Sequence, residues 1–159
     1  MDVKVTAEVY RLGILIGLYT VQDVIKWADN VIECLDNPPY EVIEISLSSQ
    51  DKPIDVCSKL KLFKGGLNNE DLPSKILLGL LNEYFLSTNN VSDVFSMLFR
   101  LSDHLQLEES NEWIEVEMNY LSDAFYLADQ NIYGDLKEVG NNLKNYLSQF
   151  EDYSKYLSI

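Results

Sequence analysis

From Val9 to Phe150 the apolar residues recur at spacings of three and four, and proline, glycine and asparagine punctuate the runs. That rhythm restricts the chain to amphipathic α-helices, because a half-buried strand would alternate every second residue. Val9, Leu12, Ile16 and Tyr19 set a first stripe over residues 3–18. Thr20 then predicts an N-cap, with Asp23 in the place of the capping-box acid. The helix it opens presents Val21, Val24, Ile25, Ala28, Val31, Ile32 and Leu35 on one side. Asn37-Pro38-Pro39 ends it, and proline suits the first turn of the next element. Residues 40–48 carry two signals: Val42, Ile45 and the pair Ile43/Leu47 suit a helix, and the β-branched content suits a short strand. A helix is favoured, since no partner strand shows elsewhere.

Asp51-Lys52-Pro53 predicts a fourth helix through Phe63, stopped by Gly65-Gly66. Asp71-Leu72-Pro73 is a second cap-and-proline entry, leading into Ile76, Leu77, Leu80, Leu81, Tyr84 and Phe85. Asn89 or Asn90 caps a helix bearing Val91, Val94, Phe95, Leu98, Leu101 and Leu105. Ser110 precedes a long one with Ile114, Met118, Leu121, Phe125, Ala128 and Ile132, ended by Gly134. The last carries Leu136, Val139, Leu143, Tyr146, Leu147 and Phe150, frays near Ile159, and is weakened by Gly140. The expectation is an all-α fold: a compact irregular bundle of about eight helices with short loops, in one domain over residues 1–159. Paired helices would also suit an α-solenoid, but no fixed-period repeat is visible. The Asn68-Asn69 loop is the one place for a boundary between subdomains.

Charge narrows the partners. The net charge is −14, and the segment from Ile76 to Leu136 holds eleven acids against one base, Arg100. With 47% hydrophobic residues the acidity belongs to a folded surface rather than a disordered tail. Such a field repels nucleic acid and anionic lipid and attracts a cationic protein. Residues 49–75 reverse the balance, with five bases against four acids. Cys34 and Cys57 form no CxxC pair and read as reduced thiols. The run Leu12–Leu18 is too short to span a bilayer, and no signal-peptide pattern surrounds it, so the cytoplasm is the expected compartment.

The candidate binding residues are Glu108, Glu109, Glu112, Glu115, Asn119, Tyr126 and Asp129. Laid on one continuous helix, Glu108, Glu112, Glu115, Asn119, Ser122 and Asp129 fall near a single line, with Glu109 and Glu117 widening it. A solvated face would do the same, yet such faces usually mix signs, and Glu108/Glu112 would be a repulsive pair at i,i+4. Tyr126 beside this line is a candidate hot spot. No metal is expected: the single histidine, His104, belongs to no Glu-x-x-His, HExxH or EF-hand pattern. His104 beside Asp103 could do acid–base work only in a cleft. The nucleophile elbow, the P-loop and the dinucleotide fingerprint are all missing, so no catalytic residue and no cofactor is assigned.

The stretch from Leu18-Tyr19-Thr20-Val21-Gln22-Asp23-Val24-Ile25-Lys26-Trp27-Ala28-Asp29 to Pro38-Pro39-Tyr40-Glu41-Val42-Ile43-Glu44-Ile45-Ser46-Leu47 resembles the opening of small uncharacterised bacterial proteins. In size and acidity the chain resembles toxin-immunity proteins. The resemblance implies a non-enzymatic module that binds and neutralises a toxin domain; it carries over no functional residue. The alternative is a structural or regulatory adaptor acting as a homo-oligomer, a homodimer being the simplest form.

Overall fold

The computed structural model describes residues 2–63 and 66–157. The fold is all-α, with eight α-helices, two 3₁₀ segments and no strand among the described residues. The chain divides into two compact units, Met1–Asn68 and Asn69–Ile159, with the division at the Asn68-Asn69 loop. No helix among the described residues is long and apolar enough to cross a membrane.

The first unit comprises α1 (Val3–Ile16), α2 (Val21–Cys34), α3 (Tyr40–Ser46) and α4 (Pro53–Leu60). Asp2 caps α1, its carboxylate accepting from the Lys4 and Val5 N–H groups at 3.0 and 3.4 Å. Gly17, left-handed at φ 84°, stops α1 at Ile16, short of residue 18. The Thr20/Asp23 capping box is present in both directions. Residues 40–46 are helical, entered directly from Pro39. Helices of seven and eight residues do not hold in water alone, so packing must stabilise α3 and α4. It does so through Val42, Ile45, Val56 and Leu60, buried with Ala7, Val24, Trp27, Ala28 and Val31.

Beside that core an aromatic row runs Tyr19, Tyr10, Trp27, Phe63, with successive centroids 4.8, 5.2 and 6.2 Å apart. The row explains why α4 ends at Leu60 and not at Phe63. Leaving the helix brings Phe63 onto Trp27, whereas Leu62 stays exposed and rewards no further turn. The expected stop at Gly65 lies outside the described residues, as do Lys64 and the chain end at Ile159.

The second unit comprises α5 (Leu72–Thr88), α6 (Val91–Ser102), a 3₁₀ turn (Glu109–Asn111), α7 (Glu112–Asp129), α8 (Leu136–Ser148) and a C-terminal 3₁₀ segment (Glu151–Leu157). Helix α5 is central, burying Ile76, Leu77, Leu78, Leu81 and Phe85 against α8 and the C-terminal segment. Each such burial contributes about 1.5–3 kcal/mol relative to exposure. Gly79 is required by a close approach: a Cβ there would stand 2.5 Å from the Phe150 carbonyl oxygen and 2.9 Å from the Ser154 nitrogen. Asn89, left-handed at φ 52°, ends α5, and Asn90 caps α6 by accepting the Asp93 N–H at 3.0 Å.

Three expected boundaries move: α6 stops at Ser102, leaving Leu105 outside it. Helix α7 stops at Asp129, because Asn131 (φ 56°) and Gly134 (φ 88°) both turn the chain; Ile132 therefore leaves the helix and is exposed. Helix α8 stops at Ser148, and Phe150 is buried from the turn just beyond it.

Candidate interaction surface

Helix α7 is held from both ends of the second unit. Asp71, read from sequence as the cap of α5, makes no capping bond. Its carboxylate instead accepts the Glu108 backbone N–H at 2.6 Å and a hydrogen bond from the Asn111 side-chain amide, while its own N–H donates to Asn69 Oδ1. At 2% exposure it is a buried carboxylate held by hydrogen bonds, and it pins the entry to α7. Further along, the buried Tyr146 hydroxyl of α8 donates to the Ile114 carbonyl at 2.8 Å. Burial, with a smaller push from the charge of Glu117, drives the Tyr146 phenol well above its ordinary range, so it stays a donor.

That anchoring corrects the single line of carboxylates. Glu108 is extended (φ −66°, ψ 155°), and the 3₁₀ turn separates it from α7, so Glu108 and Glu112 are not an i,i+4 pair. Glu108 and Glu109 are exposed on the lead-in instead. On α7 itself Glu112, Glu115, Asn119, Ser122, Tyr126 and Asp129 do share one stripe. Glu115 and Ser122 are half-buried and the other four are exposed. Glu112 and Glu115 occupy the first turn, where a carboxylate gains about 0.3–1 kcal/mol from the helix dipole. Part of the acidic pattern thus has a local structural cause.

The lower half of this stripe borders a groove of about 470 Å³ between α6 and α7. Phe95 and Phe125, stacked at 4.5 Å and 10°, form its floor. Phe99, Arg100, Asp123 and Tyr126 stand around it. The window's one base and the candidate hot spot therefore share a groove.

Sequence reading missed a second stripe. Trp113, Val116 and Tyr120 recur at i, i+3 and i+7 on the side of α7 away from the core. Val116 is 68% and Tyr120 71% exposed; Trp113 stacks on Phe150 at 5.9 Å and keeps one side in water. The i, i+3, i+7 spacing is visible in the sequence, but spacing alone does not say which apolar stripe the core covers. Glu112, Glu115 and Asp123 flank it on one side and Glu117 on the other.

His104 is exposed and lines neither this groove nor the smaller pocket at α8. Among the described residues no three His, Cys, Asp or Glu side chains converge as metal ligands. The chain matches no family model, no curated protein and no solved structure.

Proposed function

We propose that this protein is a binding module that docks a cationic protein on α7, and that the partner is a toxin domain it neutralises. The observation that carries the reading is the exposed stripe of Trp113, Val116 and Tyr120 set among Glu112, Glu115, Glu117 and Asp123. Aromatic and aliphatic side chains ringed by polar groups are what interface hot spots are made of. Surrounding carboxylates speed encounter with a basic surface and disfavour anionic competitors. The two elements act on different rate constants, which makes the reading testable. With basic nuclease toxin domains as probes, stopped-flow association should slow as salt rises. E112K/E115K should lower the on-rate, and V116A/Y120A should raise the off-rate. Association indifferent to ionic strength overturns electrostatic steering; no binding to any of these domains overturns the toxin assignment.

One observation favours the adaptor alternative. In the first unit Tyr40 and Ile43 on α3 and Leu47 just past its end recur at i, i+3 and i+7 and are all exposed. Ten acids and seven bases leave that unit nearly balanced, so two copies could meet there without the repulsion that α7 would impose. Light scattering at rising salt separates the readings: an α3 homodimer persists and is broken by Leu47→Glu, and a strict monomer excludes it.

A further inference from the structure

The second unit also contains a pocket of opposite character, about 300 Å³, where the end of α5, the start of α6 and the first turns of α8 meet. Phe85, Leu86, Val91 and Leu136 supply its apolar wall, and Lys137, Asn141 and Lys144 line it from α8. Those three lie at i, i+4 and i+7 on one helical face, so both ammonium groups can reach the same volume. Sixteen acids and five bases make up this unit, yet no carboxylate lines the pocket and two of the five bases do. Neither lysine enters the ion pairs found among the described residues, which join Arg11 to Glu8, Lys59 to Asp51 and Lys155 to Asp152. The nearby carboxylate of Asp135 is engaged at the α8 cap, accepting the Lys137 backbone N–H at 3.0 Å; Glu138, exposed on α8, is not part of the lining.

We propose that this pocket binds a small organic carboxylate with an aliphatic tail. The carboxylate sits between the Lys137 and Lys144 ammonium groups with the Asn141 amide as a third donor, and the tail lies on Phe85, Leu86, Val91 and Leu136. The volume stands at the lower end of ligand pockets, about 300–1,000 Å³, which suits a short chain and not a cofactor. The acidic field of the unit does not prevent this. At physiological salt it is screened beyond about 8 Å, and the two lysines act at contact. The site is separate from the α7 surface and does not depend on the function proposed for it.

The test is a titration of the full chain followed by amide NMR, with hexanoate as probe and acetate and 1-hexanol as controls lacking tail or charge. Hexanoate should move the Gly140, Asn141 and Lys144 signals saturably. Acetate and hexanol should bind about tenfold more weakly or not at all. The exposed lysines tolerate exchange, so K137E/K144E should keep the fold and weaken hexanoate by about tenfold, with K137Q/K144Q as the milder pair. Non-saturable shifts, hexanol as effective as hexanoate, or full affinity in both double variants would each overturn the site.

Discussion

The units Met1–Asn68 and Asn69–Ile159 are built on the same helical rhythm and treat their charges differently. In the first, half-buried Arg11 pairs with Glu8, and Lys59 joins Asp51 to Ser48 Oγ. In the second, sixteen acids face five bases, and the ion pair Lys155–Asp152 is exposed. Its buried carboxylate, Asp71, is satisfied by a backbone N–H and an amide instead of a cation. A unit that holds its carboxylates with neutral donors, or leaves them in water, keeps its negative field. One that pairs them gives the field up.

The same substitution should separate the units most sharply at two helical glycines. Gly79→Ala drives a Cβ against the Phe150 carbonyl and the Ser154 nitrogen, backbone atoms that cannot rotate aside. Overpacking of this kind costs about 1–3 kcal/mol, despite the gain of up to about 1 kcal/mol that alanine brings to a helix. Gly13→Ala first meets the Tyr19 ring, a side chain rather than backbone. Hydrogen exchange should show the C-terminal 3₁₀ segment of Gly79→Ala released while α1–α4 stay protected. Equal losses from the two variants would break the distinction.

Asp71→Ala should come next. It strips the Glu108 N–H and the Asn111 amide of their acceptor at a buried site, a cost of about 1–3 kcal/mol. Faster amide exchange confined to the lead-in of α7 would mark the loss. Asp51→Ala removes a solvated carboxylate from the first unit, and the loss of its pair with Lys59 should barely change amide exchange there.

How far the sequence could be read depends on the kind of interaction involved. Helix existence was legible wherever burial is local and periodic: the α2 face from Val24 to Val31, the Thr20 box, the Asn90 cap. Asp71 was not, because Asp before Leu-Pro satisfies every rule for a cap, and its true partners stand 37 and 40 positions away. Glu112, Glu115 and Asp129 do share one stripe of α7, but the 3₁₀ turn breaks the line at Glu108. Val116 escaped because periodicity marks a face as apolar without saying whether anything covers it. In the sequence Lys137 and Lys144 are isolated charges; only the meeting of three helices makes them neighbours of one pocket.

Tyr146→Phe should have a smaller effect on the second unit, about 0.5–1.5 kcal/mol, since the Ile114 carbonyl remains inside a helix. Its stronger signature is alkaline. The folded phenol titrates above its ordinary 10.0, so its stabilising contribution is complete below that value and is lost as pH climbs past it. Urea unfolding at about pH 9 and about pH 11 should show a drop in the wild-type protein that Tyr146→Phe reduces.

Another small effect lies in the first unit and has the opposite pH sense. The Thr20 backbone N–H, then its hydroxyl, donate to Asp23 at 2.8 and 2.7 Å and hold that carboxyl below its usual range. A depressed carboxyl contributes above its unfolded value and loses that contribution as pH falls through the folded one, so the capping box should weaken below about pH 4. Solvent screens this exposed site, and Thr20→Ala should cost about 1 kcal/mol or less at neutral pH. Amide exchange read residue by residue should therefore show the α2 amides losing protection from neutral pH to about pH 3. Protection at α2 that stays unchanged over that range would mean that the Asp23 charge contributes nothing through the capping box.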